Sequence, residues 1–245
     1  MYRPLRLLSA TVLALAVVLV PSGPAMADPV PLDANGRLEV AAGTTGATYS
    51  LTTTSRYWSA VWVRPTTEPG KSVDYDLSLL DGAGATVGGS ALGSDLVDFV
   101  AVDSNLRATG AYQAQTRYYA GTGGYQIGFA QPNETLPAMS QPQPVYQMDS
   151  PHWPMAIRDV YLAAGECLGV NVWGGSAYGD VLVLASDPAN PVRSRSQAAV
   201  RLPIHTTTGT QTVRYTAPRA GWYALAIVDD NVFFYGNLTY QRVAC

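Results

Sequence analysis

Lysine is nearly absent from this chain of 245 residues, Lys71 being the single one, and histidine occurs only as His152 and His205. Glutamate occurs four times and cysteine twice. Each shortage removes a class of chemistry. Without blocks of positive charge the chain has nothing to displace counterions from nucleic acid or from an anionic membrane, so neither is expected as a partner. The two histidines stand at no metal-ligand spacing and in no triad frame, and Ser90, Ser94 and Ser176 lie outside the Gly-x-Ser-x-Gly pattern of a serine hydrolase. Gly70-Lys71-Ser72 resembles the end of a phosphate-binding loop, but Pro65 stands where the loop's first glycine is required. Paired carboxylates for glycoside hydrolysis stay open, because spacing along the chain does not give separation in space.

A long apolar run is also missing beyond the N-terminus. There, Arg3 and Arg6 precede the apolar stretch 7–20, Pro21 and Pro24 interrupt it, and Ala25-Met26-Ala27 offers small residues to a signal peptidase. The stretch is too short to span a bilayer, which takes roughly 18–20 apolar residues. Residues 1–27 are therefore expected to be a signal peptide, with an exported mature chain beginning at Asp28 and making no further use of a membrane. Loss of Arg3 and Arg6 from the 15 basic residues leaves about 13 against 18 acidic ones, a net charge of about −5. Arg193 and Arg195, the one basic cluster, read as a solvated turn.

In an exported chain the two cysteines, Cys167 and Cys245, read as a structural disulfide that joins the first strand of the second half to its last.

What the chain does have is strand and turn. Period-2 or β-branched runs occupy 47–53, 59–63, 75–80, 96–102, 112–117 and 124–129, and again 159–162, 167–173, 181–184, 200–204, 210–215, 222–228 and 238–243. Glycines at 82, 84, 88, 89, 121, 123 and 124 read as the turns between them. The halves repeat one plan. Asp76-Leu77-Ser78-Leu79, Gly110-Ala111-Tyr112 and Gly124-Tyr125 recur in order as Asp180-Val181-Leu182-Val183, Gly221-Trp222-Tyr223 and Gly236-Asn237, at offsets of roughly 105 to 112 residues. The expected fold is all-β, two tandem antiparallel β-sandwich modules of jelly-roll type. Prolines 132, 137, 142 and 144 argue for a stiff linker, which places the first module at 28–137, the linker at 138–147 and the second module at 148–245.

Asp74-Tyr75-Asp76-Leu77-Ser78-Leu79, and Thr212 to Tyr223 with its Pro218, Gly221 and Tyr223, resemble the bacterial pre-peptidase C-terminal domains. The resemblance implies a small secreted β-sandwich that accompanies hydrolases, often proteases, with some members binding collagen or polysaccharide and some holding calcium. The second half departs from the pattern, carrying Tyr178-Gly179-Asp180 in place of the acidic pair, and no peptidase accompanies the modules in this chain. Asp74, Asp76 and Asp81 are the candidate calcium ligands, with Asp95, Asp98 and Asp103 as contributors from elsewhere. Aspartates at strand starts and turns also cap the backbone, so both readings stand.

Aromatic residues carry the binding argument. The pairs Tyr57-Trp58 and Tyr118-Tyr119 and the triplet Phe233-Phe234-Tyr235 cannot all point into a core, because neighbours on a strand face opposite ways. Tyr118, Tyr119, Phe233, Phe234 and Tyr235 fall at equivalent places in the halves and are the candidate ligand-binding residues. Trp62, Trp173 and Trp222 read as core. The function expected is non-catalytic recognition of an extracellular polysaccharide or protein. The alternatives are a hydrolase whose acids meet between the modules and an accessory or inhibitory partner of a secreted protease.

Overall fold

Short apolar runs punctuated by glycine and proline form strands almost throughout. The computed structural model describes residues 28–54, 57–66, 71–107, 109–132, 135–136, 143–149, 153–174, 178–204, 209–230 and 237–245. In chain order the strands of the first half are β1 (Val30–Pro31), β2 (Arg37–Val40), β3 (Gly46–Thr53), β4 (Trp58–Thr66), β5 (Val73–Asp81), β6 (Thr86–Ser90), β7 (Asp98–Asp103), β8 (Gly110–Gly121) and β9 (Gly124–Ala130). Those of the second half are β10 (Gln143–Asp149), β11 (Met155–Leu162), β12 (Cys167–Gly174), β13 (Gly179–Ala185), β14 (Val192–Ser194), β15 (Val200–Ile204), β16 (Gln211–Thr216), β17 (Gly221–Asp229) and β18 (Asn237–Val243).

Four sheets result: sheet I in the order β1-β3-β8-β5-β6, sheet II β14-β7-β4-β9-β2, sheet III β11-β17-β13-β15 and sheet IV β10-β18-β12-β16. Without β1 and β14, sheet III repeats sheet I and sheet IV repeats sheet II, strand for strand in the same chain order. The internal repeat is thus a repeat of topology: two eight-stranded jelly rolls, each with two four-stranded sheets.

Three apolar layers separate the four sheets. Sheets I and II enclose Tyr49, Leu77, Leu79, Tyr125, Ile127 and Phe129. Sheets III and IV enclose Val160, Val170, Val183, Tyr223, Leu225 and Tyr240. The third layer joins the modules: Trp58, Trp62 and Phe99 on sheet II meet Met155, Ile157, Leu182 and Val228 on sheet III, with alanines 60, 101, 224 and 226 between them. Large rings facing alanines let the two sheets interdigitate. Sheets II and III are consequently buried on both faces, which is why their strands read as continuous apolar runs such as 181–184 and 224–228. Trp62 lies across Gly128, where a Cβ would stand 2.1 Å from the indole ring, so glycine is required there.

Several sequence expectations change. Gln143 to Gln147, read as linker, belong to β10, which pairs with β18 at the edge of sheet IV. Pro144 is accommodated because an edge strand leaves one row of backbone groups unpaired and the register shifts just after it. Gly88-Gly89, read as a turn, lies in β6, because a Cβ on Gly88 would meet Val192 Cγ1 at 2.4 Å. That valine belongs to β14, a strand of the second half that pairs with β7 of the first. Cys167 does bond to Cys245, 78 residues away, but it opens the third strand of the second half and ties β12 to the chain end beyond its neighbour β18.

Because each inner sheet serves two cores, the modules are expected to unfold together. A calorimetric scan should show one transition, and Trp62→Ala should lower the stability of the whole protein by about 3–5 kcal/mol. Two separated transitions, with only one moved by the substitution, would contradict the shared layer.

Candidate functional site

In a jelly roll the connections gather at two ends. At one end lie those from β2 to β3, β4 to β5, β6 to β7 and β8 to β9, together with their counterparts in the second half. Hydrogen bonds hold this end together: Asp95 N donates to Val73 O at 3.3 Å within the first module, and Val97 N donates across the modules to Asp230 Oδ1 at 2.8 Å. Sheet I, where β8 finishes, is thereby linked to the end of β17 in sheet III.

Exposed rings collect here. Tyr118 is 37% exposed and packs edge-on against buried Tyr75, with ring centroids 5.7 Å apart, while its hydroxyl donates to Gly121 O at 2.6 Å. The next residue, Tyr119, sits at a register irregularity opposite Asp74–Tyr75 and is 70% exposed. From the second module come Trp153, 40% exposed, and Tyr178, 53% exposed. They flank the end of β17, since Asp229 N donates to Pro154 O and Asp230 N to Tyr178 O. Phe233, Phe234 and Tyr235 lie outside the described residues, in the connection from β17 to β18 that leaves at this point, as do His152 and His205. The sequence reading missed Trp153 and Tyr178. Their signal was a lone ring beside proline or glycine, outside any period-2 run.

Beneath the rings is a buried ionic cluster. Arg195 grips both oxygens of Asp230, at 2.7 and 2.5 Å, and also reaches Asp180, which Arg201 approaches at 2.8 Å. Burial works against the charge of Arg195, but Asp230 and Asp180 overcome it and hold the guanidinium above its usual pKa. Arg64, buried and only partly offset by Asp229, is pushed down to about 10 and donates to Gln126 Oε1 at 2.6 Å. Arg193 and Arg195, expected as a solvated turn, are therefore interior residues, placed there because β14 carries them across the junction. The carboxylates that do meet between the modules at this end are held by arginines.

Of the calcium candidates, Asp74 and Asp76 lie close together with Asp95 and Asp98 near them, and Asp81 stands apart. Asp74 and Asp81 lie at opposite ends of β5. Asp81 caps a turn by accepting from Ala83 N and Ala85 N at 3.1 and 3.0 Å, and it pairs with Arg107. Burial, with Asp76 and Asp95 nearby, raises the pKa of Asp74. Asp98 is pushed to about 6 by burial. Among the described residues no three histidine, cysteine, aspartate or glutamate side chains meet as metal ligands.

At the opposite end, Trp222 is half-buried rather than core and stacks on Tyr57 at 4.2 Å and edge-on to Tyr161 at 5.4 Å, at the rim of the junction. Trp173 is also only partly buried, because alternation along β12 turns it away from the core. Two aspartates cross between the modules at this end. Asp103 accepts from Ser186 Oγ, and Asp159 Oδ1 accepts from Trp58 N at 2.8 Å. Asp159 Oδ2 has no partner, and burial, aided by Asp103, pushes this carboxyl up to about 7.

No family model matches the chain and no curated protein matches it. Among solved structures it is similar to the tandem CBM22-1–CBM22-2 domains of Xyn10C from Paenibacillus barcinonensis, at 10% identity over 81% of this chain and 82% of that one, TM-score 0.23. The ANXUR2 extracellular domain of Arabidopsis thaliana matches at 8% identity over 83% of each chain, TM-score 0.24. The M60 catalytic domain with CBM51-1 and CBM51-2 of Clostridium perfringens ZmpB matches at 9% identity over 86% of this chain and 34% of that one, TM-score 0.25. Likenesses at these scores assign no ligand and no chemistry to this chain. Its class rests on its own topology, a pair of stacked jelly rolls. Among the described residues no helix is long and apolar enough to cross a membrane.

Asp159 gives a pH dependence with a definite sign. Its folded pKa of about 7 exceeds the unfolded value of about 3.9, so the folded state suffers no penalty below pH 4 and loses stability as pH rises toward 7. Asp159→Asn keeps an acceptor for Trp58 N and removes the charge. It should leave stability near pH 4 unchanged and raise it above pH 7 by up to about 4 kcal/mol, as read from urea titrations at both pH values. Arg195→Ala should lower stability by about 3–5 kcal/mol, since it strands two buried carboxylates.

Proposed function

We propose that this chain is an exported, non-catalytic binding protein that recognises an extracellular polysaccharide or protein. The observation that carries the reading is the collection of exposed rings, Tyr118, Tyr119, Trp153 and Tyr178, at one end of the stack. Exposed aromatic groups of this number serve as contact platforms, because they offer large area with few side-chain torsions to freeze.

At the ring-bearing end, arginine pairing of the carboxylates weighs against a hydrolase. The junction carboxylates Asp180 and Asp230 are engaged by arginine. Export is supported by the N-terminal pattern of residues 1–27 and by the Cys167–Cys245 disulfide, which suits an oxidising compartment. The resemblance of 74–79 and 212–223 to pre-peptidase C-terminal domains adds a reason to include collagen among the ligands tried. Calcium enters as a variable of the assay.

The mature protein should be retained by at least one insoluble polymer among cellulose, chitin, peptidoglycan and collagen, tested with and without a calcium chelator. Combined replacement of Tyr118, Tyr119, Trp153 and Tyr178 by alanine should weaken retention by at least about tenfold while the thermal midpoint holds. Retention that survives all four changes would remove this end of the molecule from the binding reaction.

A further inference from the structure

Among the described residues sheet IV is the last layer of the stack, and one of its faces has no sheet against it. Leu168, Val170, Val172, Val213, Leu238 and Tyr240 point inward, so alternation turns Asn171, Trp173, Thr212, Arg214, Thr239 and Gln241 outward. The register lines up Gln241, Asn171 and Thr212 across three adjacent strands and sets Thr239 beside Trp173. Thr212 Oγ1 donates to Asn171 Oδ1 at 2.7 Å, which fixes that amide and leaves its nitrogen for another partner. The Gln241 amide, the Trp173 indole nitrogen, the Thr239 hydroxyl and the Arg214 guanidinium make no hydrogen bond or ion pair among the described residues.

We infer that this face is a binding surface for a neutral polysaccharide chain lying along β12. Along the strand, Trp173 and Asn171 are about 7 Å apart, so one ring and one amide meet a polymer in succession. Charge decides the class of occupant. The chain holds 18 acidic residues, yet the two central strands β18 and β12 carry none; an acid, Asp149, and a base, Arg214, occupy outward register positions only on the flanking strands β10 and β16. Along β12 and β18 a polycation or a polyanion would find no counter-charge, and Arg214 stands at the sheet edge. A protein partner would need a desolvated apolar centre, whereas here one indole stands among amides and hydroxyls. Sugar hydroxyls both donate and accept, as these amides do, and the C–H face of a pyranose suits an indole.

The platform is also held in shape. Cys167–Cys245 ties β12 to the chain end beyond β18 on this same face. Gly169 lets the chain end pass close by, since a Cβ there would meet Val243 O at 2.8 Å. A surface fixed before its ligand arrives loses less freedom on binding.

The inference rests on the reading of the chain as a binder but uses none of the residues of that reading. The test is electrophoresis of the mature protein in native gels cast with hydroxyethyl cellulose, glucomannan or arabinoxylan, with alginate and chitosan gels beside them. Retardation is expected in at least one neutral gel, weakened at least tenfold by Trp173→Ala and by the pair Asn171→Ala and Gln241→Ala, and unchanged by Leu106→Ala, an exposed apolar residue of the first module. Melting curves check that each variant folds. If Trp173→Ala melts early, the amide pair, which removes no ring, carries the test. Mobility unaffected by every neutral polymer, or retardation that persists in the Trp173 and amide variants, overturns the inference. Loss with Tyr119→Ala and Tyr178→Ala instead also overturns it, while leaving the proposed function standing. Retardation strongest in alginate and abolished by Arg214→Gln would replace a neutral ligand with an acidic one.

Discussion

Everything in this molecule depends on the apolar layer between sheets II and III. Trp58, Trp62 and Phe99 would otherwise lie on the outside of the first jelly roll, and Met155, Ile157, Leu182 and Val228 on the outside of the second. Removing side chains of this size from water is worth roughly 1.5–3 kcal/mol each, and the layer collects many of them. The layer also orients the modules: with both sheets fixed, their loop ends coincide, and rings from Tyr119 on sheet I to Tyr178 at the edge of sheet III share one end of the stack.

Polar groups at the two rims of that layer are placed so that each module satisfies the other. Val97 N and Arg195 meet Asp230 at one rim. Trp58 N meets Asp159, and Ser186 meets Asp103, at the other. Asp159 is the imperfect member, with one oxygen unmatched. Such contacts add little net stability but penalise any sliding of one sheet over the other, because a shifted register would leave buried charges without partners. β14 acts to the same end by lending the first module a strand from the second.

The jelly-roll repeat was legible because its signals are local: turn glycines, alternating runs and the recurring Gly-x-Tyr strand. The disulfide was legible because two cysteines leave one pairing. The double burial of sheets II and III was written in the unbroken runs 60–63, 99–102 and 224–228, yet a run of that kind does not say which of its faces belongs to a neighbouring module. Arg195 looked solvated because its partners, Asp180 and Asp230, lie 15 and 35 residues away. β10 and β14 were illegible for a similar reason, as proline in one and arginine with serine in the other are poor strand residues that only edge positions tolerate. Tyr118 and Tyr119 were found because adjacent rings cannot share one face, whereas Trp153 and Tyr178, each alone, gave no such contradiction.

The modules stack like with unlike: sheet II of the first meets sheet III of the second, and sheet III corresponds to sheet I, not to sheet II. Such a contact is heterologous. Repeated between identical units it has no twofold axis to close it and would propagate into a filament. The free faces at either end are the two halves of that same contact, sheet I bearing Thr48, Ser50, Ser78, Gln113 and Gln115 outward and sheet IV bearing its amides and hydroxyls. Polarity sets these two faces apart from the apolar ones that meet in the junction. A further unit could dock in the same way only against a face turned apolar, as the buried faces of stacked repeats are.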